Sequence, residues 1–239
     1  MTEYEHSASN WVVPELATEL SSYETDKGRH LFTDNVADKL MDCAITYQLT
    51  GKIEYAEKCN LFFRRLSNPQ NGYPTTYRGA NRNFVKEGGF WQDVARSYDL
   101  VAGAGLLTEE DEKLIENTFR LFIETVQIGN DRGAISNWNL SELTAALYCA
   151  LCLQDWHLVD ELLAAPSGIY QQFSQGVMSD GWWYECSVGY NLWCASEFSE
   201  IALALEPWGV NFKDKQLPLG TSPHFSLMPE RMKPGLYGM

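Results

Sequence analysis

Long apolar runs are missing from this 239-residue sequence. No window reaches the ~18 uninterrupted apolar residues that a membrane-spanning helix requires, so we expect no membrane association. The first ten residues are polar and acidic and lack the basic and apolar regions of a secretory leader. These features predict a cytoplasmic protein, or a secreted or periplasmic one whose leader lies outside this sequence.

Basic residues are scarce: 18 Lys and Arg stand against 32 Asp and Glu, for a net charge of −14. This balance argues against a nucleic-acid-binding surface, which needs a basic face to release counterions from phosphates. It also opposes binding of a polyanion, although net charge governs long-range steering and a cleft can still be locally basic. Residues 73–86 include Arg78, Arg82 and Lys86 and provide such a local balance.

Metal-ligand patterns are also lacking. His6, His30 and His157 fit no motif, and Cys149 and Cys152 form a CxxC inside an apolar run. No second CxxC or His pair accompanies it, so we interpret these cysteines as buried free thiols. We expect neither a metal nor a cofactor.

Strand-like alternation is scarcely visible, whereas apolar residues recur at steps of three and four. This spacing predicts about nine or ten helices joined by short loops, and therefore an all-α fold. One helix is predicted to end at Gly51, one to begin at the capping-box-like TEED of Thr108, and one to extend from Val188 to Leu205. Asn139 or Ser141 is predicted to cap the next helix after the one that begins at Thr108.

The series of predicted helices with short connections indicates one helical domain built of hairpins. Helices with short returns pair as antiparallel hairpins, which stack as a bundle, a solenoid or a closed ring. No fixed-period repeat is visible, which disfavours a solenoid. Residues 1–211 are predicted to form the helical domain. Residues 212–239 contain four prolines and no core-like pattern, and we interpret them as a linker towards a further domain.

Two predicted loops, residues 133–140 and 179–191, place amide or phenol side chains beside indoles directly before a helix. Such side chains can point into one cavity above the helix ends.

Each of these side chains also has a purely structural interpretation. Asn137 and Asn139 can cap a helix, and Tyr190 can be a core tyrosine with a satisfied hydroxyl. Packing at a helix seam is the structural alternative for three indoles: Trp138, Trp182 and Trp183. Glu185 can cap a helix or pair with an arginine.

The segment DGWWYECSVGYN resembles the DGGWYEGSxxYH-type segment of the heparinase II/III-like polysaccharide lyases. The upstream SNWNLSEL lies where that family has an Asn or Asn-His element, and 53 residues separate Asn137 from Tyr190, close to the spacing that the family keeps. The resemblance implies an incomplete (α/α) toroid of helical hairpins, followed by a C-terminal β-sandwich domain. It also implies an anionic substrate that contains uronic acid, such as a heparan-type glycosaminoglycan or alginate.

Carried over to this sequence, the resemblance makes Tyr190 the proton-transferring residue and Asn137 the group that neutralises the uronate carboxylate. Trp183 and Glu185 would shape the wall of the site. We also expect four residues to contact substrate: Gln92, Arg82, Trp138 and Asn139. The sequence departs from the family where relatives have histidine, since Trp138 and Asn191 stand there. The catalytic histidine that the family draws from its β-domain has no counterpart here.

β-Elimination suits these residue types. An amide N–H on the uronate carboxylate spreads the charge that develops when the C5 proton leaves, and a phenol keeps its proton at neutral pH and can donate it to the leaving oxygen. Two alternatives stay open. A helical-ring glycoside hydrolase would need two carboxylates, for which Asp93, Asp180 and Glu185 are candidates. A non-catalytic carbohydrate-binding helical domain is the other.

Overall fold

The computed structural model describes residues 2–15, 36–70, 72, 84–130, 134–210 and 212. Regular structure in these residues is helical, which confirms the predicted all-α class. The helices described are α1 (Glu3–Asn10), α2 (Val36–Thr50), α3 (Ile53–Leu66), α4 (Phe84–Ala102), α5 (Glu109–Asn130), α6 (Asn137–Cys152), α7 (Trp156–Ala164), α8 (Ile169–Gly176) and α9 (Val188–Leu205), with a 3₁₀ turn at Glu206–Trp208. None of these helices combines the length and apolarity that crossing a bilayer requires.

Most of the predicted helix ends are confirmed. Gly51 follows α2 with φ +67°, a left-handed conformation that glycine adopts without steric cost. Thr108 and Asp111 form the predicted reciprocal cap of α5, because Asp111 N–H donates to Thr108 Oγ1 at 3.1 Å and Thr108 N–H donates to Asp111 Oδ2 at 3.2 Å. Helix α9 has the predicted bounds.

The predicted cap of α6 is wrong. The helix begins at Asn137, and its N-cap is Ser136, not Asn139 or Ser141. Ser136 has an extended backbone, and its hydroxyl accepts the N–H of Asn139 at 3.2 Å, which satisfies one of the free donors of the first turn.

Helices α4 and α6 lie side by side and parallel. Near their N-terminal ends, Gln92 Nε2 donates to Ser141 O at 3.4 Å; further along, the Arg96 guanidinium lies 5.5 Å from the centroid of the Tyr148 ring. Residue numbers therefore rise together along both helices. A Cβ atom on Gly88 would lie 2.2 Å from Ser141 Oγ, so the two backbones approach closely where only glycine fits.

Helix α9 lies parallel to α6 on one side of this pair, and helix α2 lies parallel to α4 on the other. Glu197 of α9 lies beside Thr144 of α6, and Tyr148 Oη donates to Glu200 Oε2 at 3.1 Å. Likewise, α2 pairs with α4, where Ser97 contacts Met41 and Gln48 contacts Leu100. Helices α2, α4, α6 and α9 thus form a parallel row, which we call the helix row.

Returning helices connect the members of the helix row. Helix α3 packs on α2 and α4, α5 packs on α3 and α6, and α7 packs on α6. The core between them is rich in aromatic rings: Trp91 of α4 stacks on Phe122 of α5 with centroids 4.7 Å apart and meets Phe119 edge-on. One cavity is lined by residues of all four row helices and by none from α3, α5 or α7. As far as the described residues go, the row therefore has a side covered by returning helices and an open side that contains this cavity.

The cysteines of the CxxC are free thiols, as predicted. Cys149 is buried and Cys152 is half-buried in α6, where burial raises the pKa of both thiols. Of the described residues, no group of three or more His, Cys, Asp or Glu is arranged to hold a metal ion.

Candidate functional site

The two loops singled out in the sequence meet at the N-terminal end of the helix row. Tyr184 Oη of the second loop donates to Ile135 O of the first at 2.8 Å. Gln172 of α8 braces the first loop, because its Oε1 accepts Ser136 N–H at 3.1 Å and its Nε2 donates to Ala134 O at 2.8 Å. These bonds hold the start of α6 beside the segment that precedes α9.

Asn137 and Tyr190 occupy equivalent levels on neighbouring helices. The contact between Thr144 and Glu197 sets the register of parallel helices α6 and α9. Asn137 lies seven residues before Thr144, and Tyr190 lies seven residues before Glu197. Seven residues are about two helical turns, or ~10.5 Å. Both residues therefore lie in the first turn of their helices, at the same height.

The side chains at this end differ in exposure. Tyr190 is 47% exposed and Trp138 is 53% exposed, whereas Asn137 is 6% exposed. Trp182 and Tyr184 are also partly exposed. Tyr190 is therefore not a core tyrosine, and Trp138 and Trp182 are not core residues either. These side chains and Tyr184 are exposed in the second loop and the first turns of α6 and α9, whereas the Asn137 amide is nearly enclosed.

Trp183 and Glu185 of the second loop are hydrogen-bonded to each other. The Trp183 ring is buried and fills the space next to Gly176, where a Cβ atom would lie 2.2 Å from Cζ3. Its Nε1 donates to Glu185 Oε2 at 2.7 Å, and its backbone N–H donates to Asn191 Oδ1 at 2.9 Å. Trp183 is thus held in place by Glu185 on one side and by Asn191, in the first turn of α9, on the other.

The remaining residues that were predicted to bind substrate are hydrogen-bonded to other residues of this protein or lie outside the described part of the chain. Asn139 is buried, and its Oδ1 accepts the Ser136 hydroxyl at 2.8 Å. Gln92 Nε2 donates to Glu197 Oε2 at 3.0 Å and to Oε1 at 3.3 Å. Arg82, with most of its basic segment, lies outside the described residues.

Three buried acidic residues of the row helices, Glu87, Glu142 and Glu197, were not among the predicted site residues. Glu197 is 8% exposed, and burial raises its pKa to about 7 against the opposing effects of Thr144 and Gln92. Glu142 is 1% exposed, burial raises its pKa to about 9, and its Oε1 has no hydrogen-bond partner among the described residues. A signal was present in the sequence for Glu142, the one acid in the apolar pattern of α6, but not for Glu197, which shares α9 with Glu200.

The polarity of the helix row adds to the electrostatics of the site. Helices α6 and α9 both begin here, and a helix N-terminus has a partial positive charge of about half an elementary charge. Ser136 and Ser187 cap these two ends by accepting backbone N–H groups of Asn139 and Tyr190. The two helix starts therefore provide partial positive charge at this end, beside the carboxylates of Asp180 and Glu185 in the second loop.

No protein-family model matches this sequence, and no curated protein matches it either. The function of this protein is therefore inferred from its own residues.

Proposed function

We propose that this protein is a polysaccharide lyase that cleaves uronate-containing saccharides by β-elimination. Asn137 binds the uronate carboxylate, and Tyr190 transfers a proton. The observation that supports this proposal most strongly is the placement of the two residues in the first turns of neighbouring parallel helices, at one level. The scheme uses no metal and no cofactor.

The carboxylate is the first requirement of the reaction. The C5 proton of a uronate is weakly acidic, and its removal places negative charge on the carboxylate. The Asn137 amide donates to that oxygen in a nearly enclosed position, where a hydrogen bond is stronger than in water. The positive ends of α6 and α9 act in the same direction.

The leaving group is the second requirement. As the C5 proton is removed, its electron pair forms the C4–C5 double bond and the C4–O bond breaks. The half-exposed Tyr190 hydroxyl donates its proton to the departing oxygen. We propose that a C-terminal β-domain of the same polypeptide supplies the base for the C5 proton, since the family that this sequence resembles draws a histidine from there.

The architecture agrees with this proposal at a coarser level. A row of parallel helices with returning helices on one side is the arrangement expected of an incomplete (α/α) toroid. We propose such a toroid for residues 1–211, with residues 212–239 as the linker.

The test is an assay of the full-length protein with uronate oligosaccharides, in which elimination yields an unsaturated, ultraviolet-absorbing product. Tyr190→Phe is expected to abolish this product without changing thermal unfolding, because only the transferable proton is lost. Tyr4→Phe is the matched control, since Tyr4 is 46% exposed and lies on α1, remote in the sequence from both loops. Equal rates for wild type and Tyr190→Phe would show that the proton donor has been misplaced.

A glycoside hydrolase is the second candidate, favoured by the buried carboxyls. Burial raises the pKa of Asp93 to about 6, although Arg96 opposes it, and Glu197 has a raised pKa as well. Carboxyl groups that keep a proton near neutral pH suit general acids. Asp180 and Glu185 are instead engaged with Trp182 N–H and Trp183 Nε1. New reducing ends without an unsaturated product would favour the hydrolase.

A further inference from the structure

The open side of the helix row contains a cavity of about 900 Å³ at the end opposite the candidate site. This volume lies within the range of about 300–1,000 Å³ that small-molecule sites occupy. Its lining comes from the middle of α2, from the C-terminal halves of α4, α6 and α9, and from the 3₁₀ turn. Most of this wall is apolar: Met41, Ile45, Leu100, Leu151, Leu203 and Trp208.

The charged residues of the lining are mainly acidic. Asp99, Glu200 and Glu206 stand against Arg96. The guanidinium of Arg96 lies over the Tyr148 ring, and its Nη2 is 3.4 Å from Glu200 Oε2, so Glu200 already neutralises it. Asp99 and Glu206 are exposed and form no ion pair within the described part of the chain. The cavity therefore has two carboxylates beyond those needed to balance its arginine.

Two further features make the cavity more favourable for a cation than for an anion. Helices α4, α6 and α9 end beside the cavity, at Ala102, Cys152 and Leu205, and helix C-termini have partial negative charge. Trp208 is 50% exposed in the cavity wall, and its ring lies 5.0 Å from that of Trp156. An indole face attracts a cation electrostatically. Carboxylates, aligned C-termini and an accessible indole all disfavour an anionic occupant.

We propose that this cavity binds a small organic cation with an apolar body, such as an arylalkylammonium compound. Its ammonium group lies between Asp99 and Glu206, and its apolar part lies against Leu100, Leu203 and Trp208. The site is separate from the candidate catalytic end, and the proposal does not depend on the lyase reaction.

The test compares three ligands with matched apolar bodies on the full-length protein: 2-phenylethylammonium, 2-phenylethanol and 3-phenylpropionate. Binding is measured by calorimetry and by quenching of tryptophan fluorescence. We expect saturable binding of the ammonium compound, affinity for the alcohol lower by about tenfold or more, and no binding of the carboxylate. Equal affinity for the alcohol, or no saturable binding of the ammonium compound, would overturn the proposal.

The double variant Asp99→Asn, Glu206→Gln is expected to lower the affinity for the ammonium compound by about tenfold while leaving that for the alcohol unchanged. Glu116→Gln, an exposed change on α5, is the control and is expected to keep wild-type affinity. Salt titration of the wild type gives a readout that needs no variant: added salt should weaken binding of the ammonium compound and not that of the alcohol. Salt-independent binding of the ammonium compound would contradict the proposal.

Discussion

The two ends of α6 and α9 have opposite partial charge, and both helices contribute to the candidate site at one end and to the cavity at the other. At the N-terminal end, two capped helix starts carry the Asn137 amide and exposed aromatic side chains. At the other end, helix C-termini and the carboxylates of Asp99, Glu200 and Glu206 lie beside an apolar cavity. The comparison shows that the net charge of −14 does not apply evenly to both ends, because parallel helices concentrate opposite partial charges at opposite ends.

Asn137→Asp attacks the positive end most directly and should have the largest effect. The change replaces an amide donor with a second carboxylate facing the uronate, so we expect kcat/KM for elimination to fall by about 1000-fold or more. Because Asn137 is only 6% exposed, a carboxylate there also loses hydration, so thermal unfolding of the variant must be measured before kcat/KM is compared at a temperature where it is folded. Retention of wild-type kcat/KM would remove Asn137 from the mechanism.

Glu142→Gln tests the buried carboxyl below that end. Burial raises the pKa of Glu142 from its ordinary value of 4.5 to about 9 in the folded protein. The folded state therefore binds the proton more tightly than the unfolded state, and the free energy of unfolding should fall as pH rises from 4.5 towards 9. We expect Glu142→Gln to unfold with a free energy higher by about 3 kcal/mol at pH 8 and nearly unchanged at pH 5.

The measurement for Glu142 is urea unfolding at several pH values, with Glu116→Gln as the exposed control. A constant difference between Glu142→Gln and wild type from pH 5 to pH 8 would mean that the carboxyl is not enclosed as described.

Gly88→Ala tests the close approach of α4 and α6 near the candidate site. The added Cβ would meet Ser141 at 2.2 Å, and we expect the free energy of unfolding to fall by about 2 kcal/mol. Gly89→Ala is the matched control, because its Cβ meets nothing within 4 Å, and it should stabilise the helix by about 0.5 kcal/mol. If both variants unfold alike in urea, the helices do not pack as closely as described.

The smallest effects are expected at the two caps. Ser136→Ala and Ser187→Ala each remove a side-chain acceptor from a helix start, at a cost of about 1 kcal/mol in the free energy of unfolding. Ser136→Ala should cost more than Ser187→Ala, because the Ser136 hydroxyl also donates to Asn139 Oδ1. The reverse order in urea unfolding would contradict the hydrogen bonds described for the first loop.

Local sequence patterns predicted where several helices begin and end, but not which helices pack against each other. Helix α9 and the ends at Gly51 and Thr108 follow from apolar spacing and cap residues that act within one turn. The cap of α6 was predicted wrongly because Ser136, Asn139 and Ser141 are all competent cap residues within six positions, and only the extended backbone of Ser136 distinguishes it.

Contacts between helices could not be predicted from the sequence. Pairing of Gln92 with Glu197 joins residues 105 positions apart. That pairing depends on the register of α4, α6 and α9, which no local pattern encodes. For the same reason the sequence identified Tyr190 and Asn137 as candidates but could not show that they share a level, and it gave no sign of the cavity at the far end of the row.

The most direct test of the account is binding of a uronate disaccharide and its methyl ester to the full-length Tyr190→Phe protein, which should bind without cleaving. We predict that the carboxylate form binds more tightly than the ester by about tenfold, and that Asn137→Ala in the same background removes this preference. Equal affinity for the two forms in the Tyr190→Phe protein would contradict a carboxylate site at the N-terminal end of the helix row.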